Sequence, residues 1–551
     1  MRFLWLDINA SYSHSSLALP ALDAQLSEEI KAKTEWEVVS GTIKTTNNEI
    51  INKCLKFKPN YIFATGWLFN INKLLEILSR LNSLINLNGI YLGGPQFLGD
   101  NESFLISNKY ISAVFKGEGE EMFSQFIEKL NSNTDHWQQI QGFEYIKDGK
   151  YIKSKIIKVS NFSSLNPPDK SAFFNWNKAF VQIETSRGCF NECKFCVSGI
   201  EKDIIQNVSI EQLRTSINLI LSKGIKEVRI LDRTFNASST RAIELLNLFE
   251  EFAGKIQFHI EVHPAFLSKE FKEVISKLPS GLLHIEVGIQ SLREEVIKLS
   301  GRKGKCSLAL DGLNFLLSLR KFVVHADLIA GLPKYTFLQL VEDSLTLINT
   351  RVGEIQLELL KLLPGTIFTK KADCYGIKYS PIPPYEVLQT NDISFAQLED
   401  AMILSKALDY WYNDSSWRSV FVNVFKSSNI LLQFIYFLKG KGFYEQVLSY
   451  QSKSLLLYEF CNNYSKENIE LFNIQWIKNG LSLKMKPAEN LKMWSPKSEF
   501  AHPFIGVAYK DLATIDSKIY YIVSKESTFW FLFNPHVLRN GPAAQYVDIN
   551  K

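Results

Sequence analysis

The stretch Thr185-Ser186-Arg187-Gly188-Cys189-Phe190-Asn191-Glu192-Cys193-Lys194-Phe195-Cys196 sets three cysteines within eight residues. It follows an apolar run starting near Val181 that reads as a β-strand. Thiolates this close in sequence can converge on one soft metal centre. Iron–sulfur clusters are held by cysteine thiolates, four for a complete cubane. Only three cluster here, so one iron would stay open. Zinc is the structural rival, but a closed zinc site wants four ligands and no fourth Cys or His stands nearby.

Outward from this motif, strand patterns start near Val181, Lys226, Ile256, Leu283, Val323 and Glu354. Their spacing suits consecutive βα units. Six units predict a partial (β/α)6 TIM-like barrel, since a complete eightfold barrel takes about 250 residues. Upstream, the runs Phe3–Ile8, Trp36–Ser40, Tyr61–Ala64, Ile90–Leu92 and Ser112–Phe115 alternate with helical patterns such as Leu17–Ile30 and Ile71–Leu84. That alternation predicts an α/β, doubly wound parallel sheet of Rossmann-like type. Ligands bind such sheets at the strand carboxyl ends, where Gly66, Gly93-Gly94 and Gly117-Glu118-Gly119 form turns.

Residues 143–159 read as a β-hairpin turning at Asp148-Gly149. Its lysines, 150, 153, 155 and 158, read as charged gatekeepers on an exposed strand rather than a nucleic-acid site. Asn166-Pro167-Pro168-Asp169 closes this connector. Beyond residue 390, Ser394–Trp411, Trp417–Leu438 and Tyr444–Asn463 read as helices, and Lys518–Val523 with Thr528–Phe533 as a late strand pair. The expected domains are 1–140, a doubly wound sheet; 141–170, a hairpin connector; 171–390, the partial barrel; and 391–551, a mainly helical α+β domain.

The 551 residues are 46% hydrophobic and 22% charged, which excludes a disordered chain. A net charge of +5 is too small to argue for a polyanion-binding protein. Seven cysteines, three of them crowded, do not make a secreted disulfide framework. The apolar run after Met1 meets Asp7 too soon for a signal peptide. The stretch Val420–Leu438 is interrupted by polar residues, whereas a membrane span needs about 20 mostly apolar ones. A cytoplasmic protein with no DNA or membrane partner is expected.

Over Cys189 to Cys196 the sequence resembles the radical S-adenosylmethionine (SAM) superfamily, whose triad lies on the loop after the first barrel strand. The resemblance implies a 4Fe-4S cluster on Cys189, Cys193 and Cys196, with SAM on the open iron. Reductive cleavage of SAM then releases a 5′-deoxyadenosyl radical. It places Phe195 beside the adenine. Glu286-Val-Gly-Ile-Gln-Ser291, Asp327-Leu-Ile-Ala-Gly-Leu-Pro333 and Gln356–Thr366 look like the family's fourth, fifth and sixth strands, with Gln290 and Ser291 as SAM contacts. The family's Gly-Gly-Glu turn is replaced by Leu231-Asp-Arg-Thr-Phe-Asn236. There Asp232 takes the amino group, and Arg233 or Thr234 the carboxylate.

Tyr91–Pro95 and Phe115–Glu121 resemble cobalamin-binding domains that precede such barrels. Gly66, Gly93, Gly94, Glu118 and Gly119 are the implied cobalamin contacts. The Asp-x-His-x-x-Gly motif of cobalt-ligating histidines is missing, and His14 is the sole histidine near the first strand. The resemblance implies a cobalamin-dependent radical methyltransferase acting on an unactivated carbon of a small molecule or other unknown substrate. Its reductant would be a flavodoxin or ferredoxin. The alternatives are a radical SAM oxidoreductase or cyclase without cobalamin, a methylthiolating nucleic-acid-modifying enzyme with a second cysteine triad, and a non-enzymatic cluster- or zinc-bearing binding protein. The C-terminal part resembles an uncharacterised extension in one branch of these proteins.

Residues at strand carboxyl ends line the cavity of such barrels. Glu261, Glu286 and Glu358 are the catalytic candidates, with His263, Asp327 and Glu354 sharing their placement. Cys54, Cys306, Cys374 and Cys461 read as core filler, Cys306 being the one with an active-site alternative.

Overall fold

The computed structural model describes residues 1–131, 135–200, 204–489, 491–498, 501–504, 518–523, 527–533 and 544–550. Five parallel strands, β1 (Arg2–Asn9), β2 (Glu35–Thr42), β3 (Tyr61–Thr65), β4 (Gly89–Gly93) and β5 (Ala113–Phe115), pair in the order β2-β1-β3-β4-β5. Successive side chains go to opposite faces. Leu4, Leu6, Ile8, Ile62, Ile90 and Leu92 meet the helices α3 (Asn47–Phe57) and α4 (Ile71–Leu84). Phe3, Trp5, Tyr61, Phe63 and Tyr91 meet Phe123, Phe126 and Ile127 of α6 (Glu120–Asn131), the helix after the short α5 (Glu102–Ser107). Burial on both faces is why these strands read as continuous apolar runs. The expected helix Leu17–Ile30 is two short ones, α1 (Ala18–Asp23) and α2 (Glu28–Ala32), because Ser27 caps the second by accepting from Ile30 N.

The hairpin forms as β6 (Phe143–Lys147) and β7 (Lys150–Ile152), with left-handed φ at Asp148 and Gly149 as a type I′ turn requires. Its second strand stops at Ile152 rather than Val159. β6 pairs antiparallel with β5 and extends the first sheet to seven strands. Downstream, the chain runs back along Gly117, whose backbone bridges to Ile157.

Strands β8 (Val181–Ile183), β9 (Glu227–Ile230), β10 (Gln257–Val262), β11 (Leu283–Gln290) and β12 (Val323–Ala330) lie side by side in chain order, each parallel to the next. Their helix-facing residues are apolar and buried; Phe258, for example, stacks on Phe249 at 4.0 Å. Their inner face is polar, so the strands alternate where the first sheet's do not. The sixth expected strand forms at Glu354–Leu359 (β13).

Contacts group the chain into two compact units: Met1–Thr336 with Leu359–Leu398, and Phe337–Glu358 with Glu399–Lys551. In the first, the carboxyl-end loops of the doubly wound sheet turn toward the barrel. A Cβ on Gly99 would lie 3.1 Å from Gly365 N, Gln96 donates to the Tyr385 hydroxyl, and Lys178 donates to Tyr12 O. In the second, the expected helix Trp417–Leu438 breaks at residues 425–427 into Ser415–Val424 and Ser428–Gly440, bent by 119°. Together the pair has the length and composition of a bent span. Its apolar side chains, Phe421, Phe434 and Ile435 among them, are fully buried, as in the core of a helical domain. Among the described residues, no single helix is long and apolar enough to cross a membrane. Trp411 stacks on Phe443 and Trp417 on Phe472. The late strands Lys518–Val523 and Ser527–Phe533 pair antiparallel as expected. The helix Ile469–Lys478 escaped the sequence reading.

Glu144 is the most deeply committed charge in the first sheet. It is fully buried and accepts from Lys116 Nζ at 3.1 Å, Asn101 Nδ2 at 2.7 Å, Tyr151 Oη at 2.6 Å and Ser154 N at 3.1 Å. Removing one partner of a buried pair costs about 3–5 kcal/mol because it strands the other charge. Glu144→Ala should therefore lower stability by about that amount in urea unfolding. Lys153→Ala, which breaks the exposed pair with Asp100, should leave the midpoint unchanged.

Candidate active site

The cysteine loop is shaped by its neighbours. Gly188 takes a left-handed φ of 101°, which turns the chain after Arg187. Arg187 forks onto Glu184 at 3.0 and 2.7 Å and reaches Glu120 at 2.7 Å, with its guanidinium 4.4 Å over the Phe162 ring. Burial alone would lower its basicity, but the two carboxylates raise it beyond its ordinary value. Asp232 is 2% exposed. Its Oδ1 accepts from Thr185 N at 2.7 Å and Ser186 N at 3.0 Å, and its Oδ2 from both hydroxyls. A carboxylate offers about four acceptor positions, so Asp232 is filled. The expectation for Asp232 is the amino group of SAM; just past the end of β9 and beside β8, its acceptor positions are taken by the backbone and hydroxyls of Thr185 and Ser186, which lead into the cysteine loop.

Within the loop, Asn191 N donates to Cys189 Sγ at 3.4 Å and Cys196 N to Cys193 O at 3.1 Å. Cys193 is buried, Cys189 and Cys196 half-buried. A Cβ on Gly199 would lie 2.3 Å from Cys193 O, and one on Gly301 2.4 Å from Glu192 O, so both glycines permit close backbone packing around the thiols. Burial pushes the Cys193 thiol up to about 11, against a hydrogen bond and charge from Arg302. Cys196 and Cys189 lie near enough for their charge to raise the Cys193 thiol further; three soft thiols brought together in this way suit an iron–sulfur cluster.

The inner face of β10, β11 and β12 carries the other candidates. Register sets Glu261 beside Glu286, Glu286 beside His325, and Gly288 beside Asp327. Glu261 is reachable by water along the open inner face, yet protein crowds it. That crowding and then Glu286 push its carboxyl up to about 7, against the pull of Arg233. Asp327 is pushed well above the usual carboxylate range by burial, by Glu286 and by their hydrogen bond. Its Oδ1 is buried without a hydrogen-bond partner. Glu286 goes the other way: burial opposes ionisation, but hydrogen bonds from His259 and His325 hold it below its ordinary range. Gln290 sits at a β-bulge with φ of 66°, a strained backbone of the sort bulges place near active sites.

Arg302 joins these groups and was not singled out by the sequence reading. It donates to Gly288 O at 2.6 Å, hydrogen-bonds Cys193, and lowers both Glu261 and Asp327. The available signal was an arginine in a loop between Gly301 and Gly304, both left-handed.

The remaining candidates differ in burial and in partners. Thr234 is buried with its hydroxyl 3.6 Å from Cys189 Sγ, while Arg233 is exposed and Phe195 half-buried. Ser291 is buried, its hydroxyl accepting from Arg293 N at 3.1 Å. His263 packs against Phe190 and Phe266, and burial lowers it to about 3, so it stays neutral. Cys306 is buried and donates to Ser291 O at 3.8 Å. Cys54 and Cys461 are core, but Cys374 is exposed, against expectation. Glu358 is exposed in the second unit, where burial raises the carboxyl of Asp409 and Glu358 with Glu354 raise it further; we assign Glu358 no step. His14 Nδ1 bonds the Ser11 and Ser13 hydroxyls, and its ring meets Phe180 edge-on at 5.8 Å.

The glycine turns of the first sheet divide. Gly117 lets the connector approach, since a Cβ there would lie 2.1 Å from Ile157 O. Glu118 then accepts from Val159 N at 2.7 Å and faces Arg187 at 3.9 Å. The Glu118-Gly119 turn, expected to meet a ligand, is closed by the chain itself. Gly66 and Gly94 pack on Phe97 and Thr65. Gly93 has open space at its Cβ position. Gly66 N donates to Gly93 O, which sets the next residue, Trp67, beside this edge, stacked on exposed Phe69. This open, aromatic strand edge fits a flat macrocycle.

Asp232→Ala leaves up to four donors without their acceptor, at about 1–3 kcal/mol each where buried. Reconstituted with iron and sulfide, the variant should retain less than about half the wild-type iron while keeping its far-UV dichroism. Wild-type iron in the variant would mean that the loop needs no such anchor.

Residues 183–344 match the Radical SAM superfamily, and residues 373–499 a protein family of unknown function, DUF4080. An uncharacterized methyltransferase of Pyrococcus horikoshii, PH0819, is 23% identical over 330 residues, covering 57% of this chain and 69% of that one. The tRNA-2-methylthio-N(6)-dimethylallyladenosine synthase of Rickettsia akari is 21% identical over 313 residues, 55% of this chain and 61% of that one. Among solved structures, the cobalamin-dependent SAM radical enzyme OxsB, with aqua-cobalamin and SAM bound, aligns with a TM-score of 0.56 at 16% identity, covering 86% of this chain and 73% of that one. The radical SAM methyltransferase TsrM from Kitasatospora setae, with cobalamin and a 4Fe-4S cluster bound, gives 0.54 at 16% identity, covering 69% and 80%. Residues 183–344 are therefore a radical SAM domain, and the chain around them has the fold of the cobalamin-dependent radical SAM enzymes.

Proposed function

We propose that this protein is a cobalamin-dependent radical SAM methyltransferase acting on an unactivated carbon of a small molecule. The observation that carries the reading is the open aromatic edge around Gly93, in the same compact unit as the cysteine loop, with its neighbouring turns packed toward the barrel. When bound, the cluster supplies the electron that cleaves SAM, and cobalamin supplies a carrier for a methyl group. Cys189, Cys193 and Cys196 hold the cluster. Arg302 and Arg233 face the carboxylate of SAM, and Glu261 with Asp327 Oδ1 faces its amino group. Phe195 lies beside the adenine, and Gln290, Ser291 and Thr234 complete the SAM contacts. Gly93 and Trp67 seat the corrin. A flavodoxin- or ferredoxin-type donor reduces the cluster in the cytoplasm, where thiols stay reduced; none of the seven cysteines is in a disulfide.

The methylthiotransferase relatives raise a second reading. It calls for another cysteine triad in the first domain, where Cys54 stands alone and is fully buried. That feature favours the methyltransferase.

Anaerobic reconstitution with iron, sulfide and hydroxocobalamin, followed by desalting, tests the reading. The wild type and Cys193→Ala should both keep close to one corrin per chain. Gly93→Trp, which fills the open space, should keep the cluster and lose the corrin. A wild-type protein with cluster and no corrin would remove the methyltransferase and leave simpler radical chemistry.

A further inference from the structure

One layer of the barrel's inner face is built from three histidines and a carboxylate that the SAM site does not use. His259 Nε2 and His325 Nε2 each lie 3.1 Å from Glu286 Oε2. Among the described residues, these three are the group of His, Cys, Asp and Glu whose ligand atoms all lie within 4.8 Å of one another. They come from three adjacent strands and from register positions one residue pair apart: His259 opposite His284, and Glu286 opposite His325. His284 Nε2 lies 3.0 Å from His325 Nδ1, so one proton is shared between those rings.

We propose that His259, Glu286 and His325 form a second metal site, separate from the cluster, for one divalent transition cation. Two imidazoles and one carboxylate on one side of a site, with the remaining positions open, suit Zn²⁺ or Fe²⁺ rather than a cluster or a hard cation. A metal on His325 Nε2 requires the proton on Nδ1, where it donates to His284. A ligating histidine is normally oriented by such a bond from its other nitrogen. The side chains of His325, His259 and Glu286 are 4%, 15% and 27% exposed. The ligands are thus held from behind and reachable from the inner face. The open positions would take an oxygen or nitrogen donor of the substrate and anchor it by Lewis acidity. This role is independent of whether the first domain holds cobalamin.

The test uses the full chain with its cluster loaded, so that the three cysteines are occupied. Equilibrium dialysis against Zn²⁺ should give one zinc per chain beyond the cluster's iron. His325→Ala and Glu286→Gln should weaken zinc at least about a hundredfold, and His284→Ala about tenfold to a hundredfold, with iron content unchanged. X-ray absorption at the zinc edge of the wild type needs no variant, and should show nitrogen and oxygen neighbours without sulfur. A sulfur shell would place the zinc on the cysteines and overturn the site. So would cluster-loaded wild type that retains no zinc, which would leave these residues a hydrogen-bonded histidine–carboxylate network.

Discussion

The site depends on one buried carboxylate. Asp232 gathers two backbone N–H groups and two hydroxyls from Thr185 and Ser186, and so fixes where the chain leaves the first barrel strand. Everything after that point inherits the constraint. Arg187 meets Glu184 and Glu120, Gly188 turns, and the three thiols follow on a loop clamped by the 2.8 Å bond from Lys194 N to Ser300 O and by the close approach of Gly301. A buried carboxyl group is tolerated only when hydrogen-bonded, and here that bonding is what organises the loop.

Arg187 also explains the link between the two halves of the first unit. Its partner Glu120 begins α6, behind the turn Gly117–Gly119. That turn is pinned in its own right by Ile157 and Val159 of the connector. A turn that looks like a ligand loop thus positions the residue two before the first cysteine. On the barrel's inner face, Arg302 has the corresponding role, placing one cation among Cys193, Glu261 and Asp327.

Much of this was legible in the sequence. The strands of both sheets begin within about a residue or two of the runs read for them: the first sheet's, buried on both faces, leave continuous apolar signals, and the barrel's leave an alternation of apolar and polar residues. The cysteine spacing was legible because three soft ligands in eight residues have few other uses. What escaped was tertiary. Asp232 reads as a free acidic residue at a strand end, and only the fold brings Thr185 and Ser186 to it. Glu118 and Gly119 read as an open turn, and only the returning connector closes it. Arg302 had two flanking glycines as a signal but no partner near in sequence. The His259, Glu286 and His325 layer is spread over 67 residues and is assembled by register between three strands. Helix breaks at residues 425–427 and around Ser27 were hidden by apolar patterns that run through them.

The central claim is that Cys189, Cys193 and Cys196 hold a cluster with one iron left for SAM. Electron paramagnetic resonance of the reduced, reconstituted protein, recorded with and without SAM, reads that iron directly. The account predicts a reduced 4Fe-4S signal that changes shape when SAM is added and is missing in Cys193→Ala. A reduced cluster signal that SAM leaves unmoved, or no cluster signal at all, would contradict it.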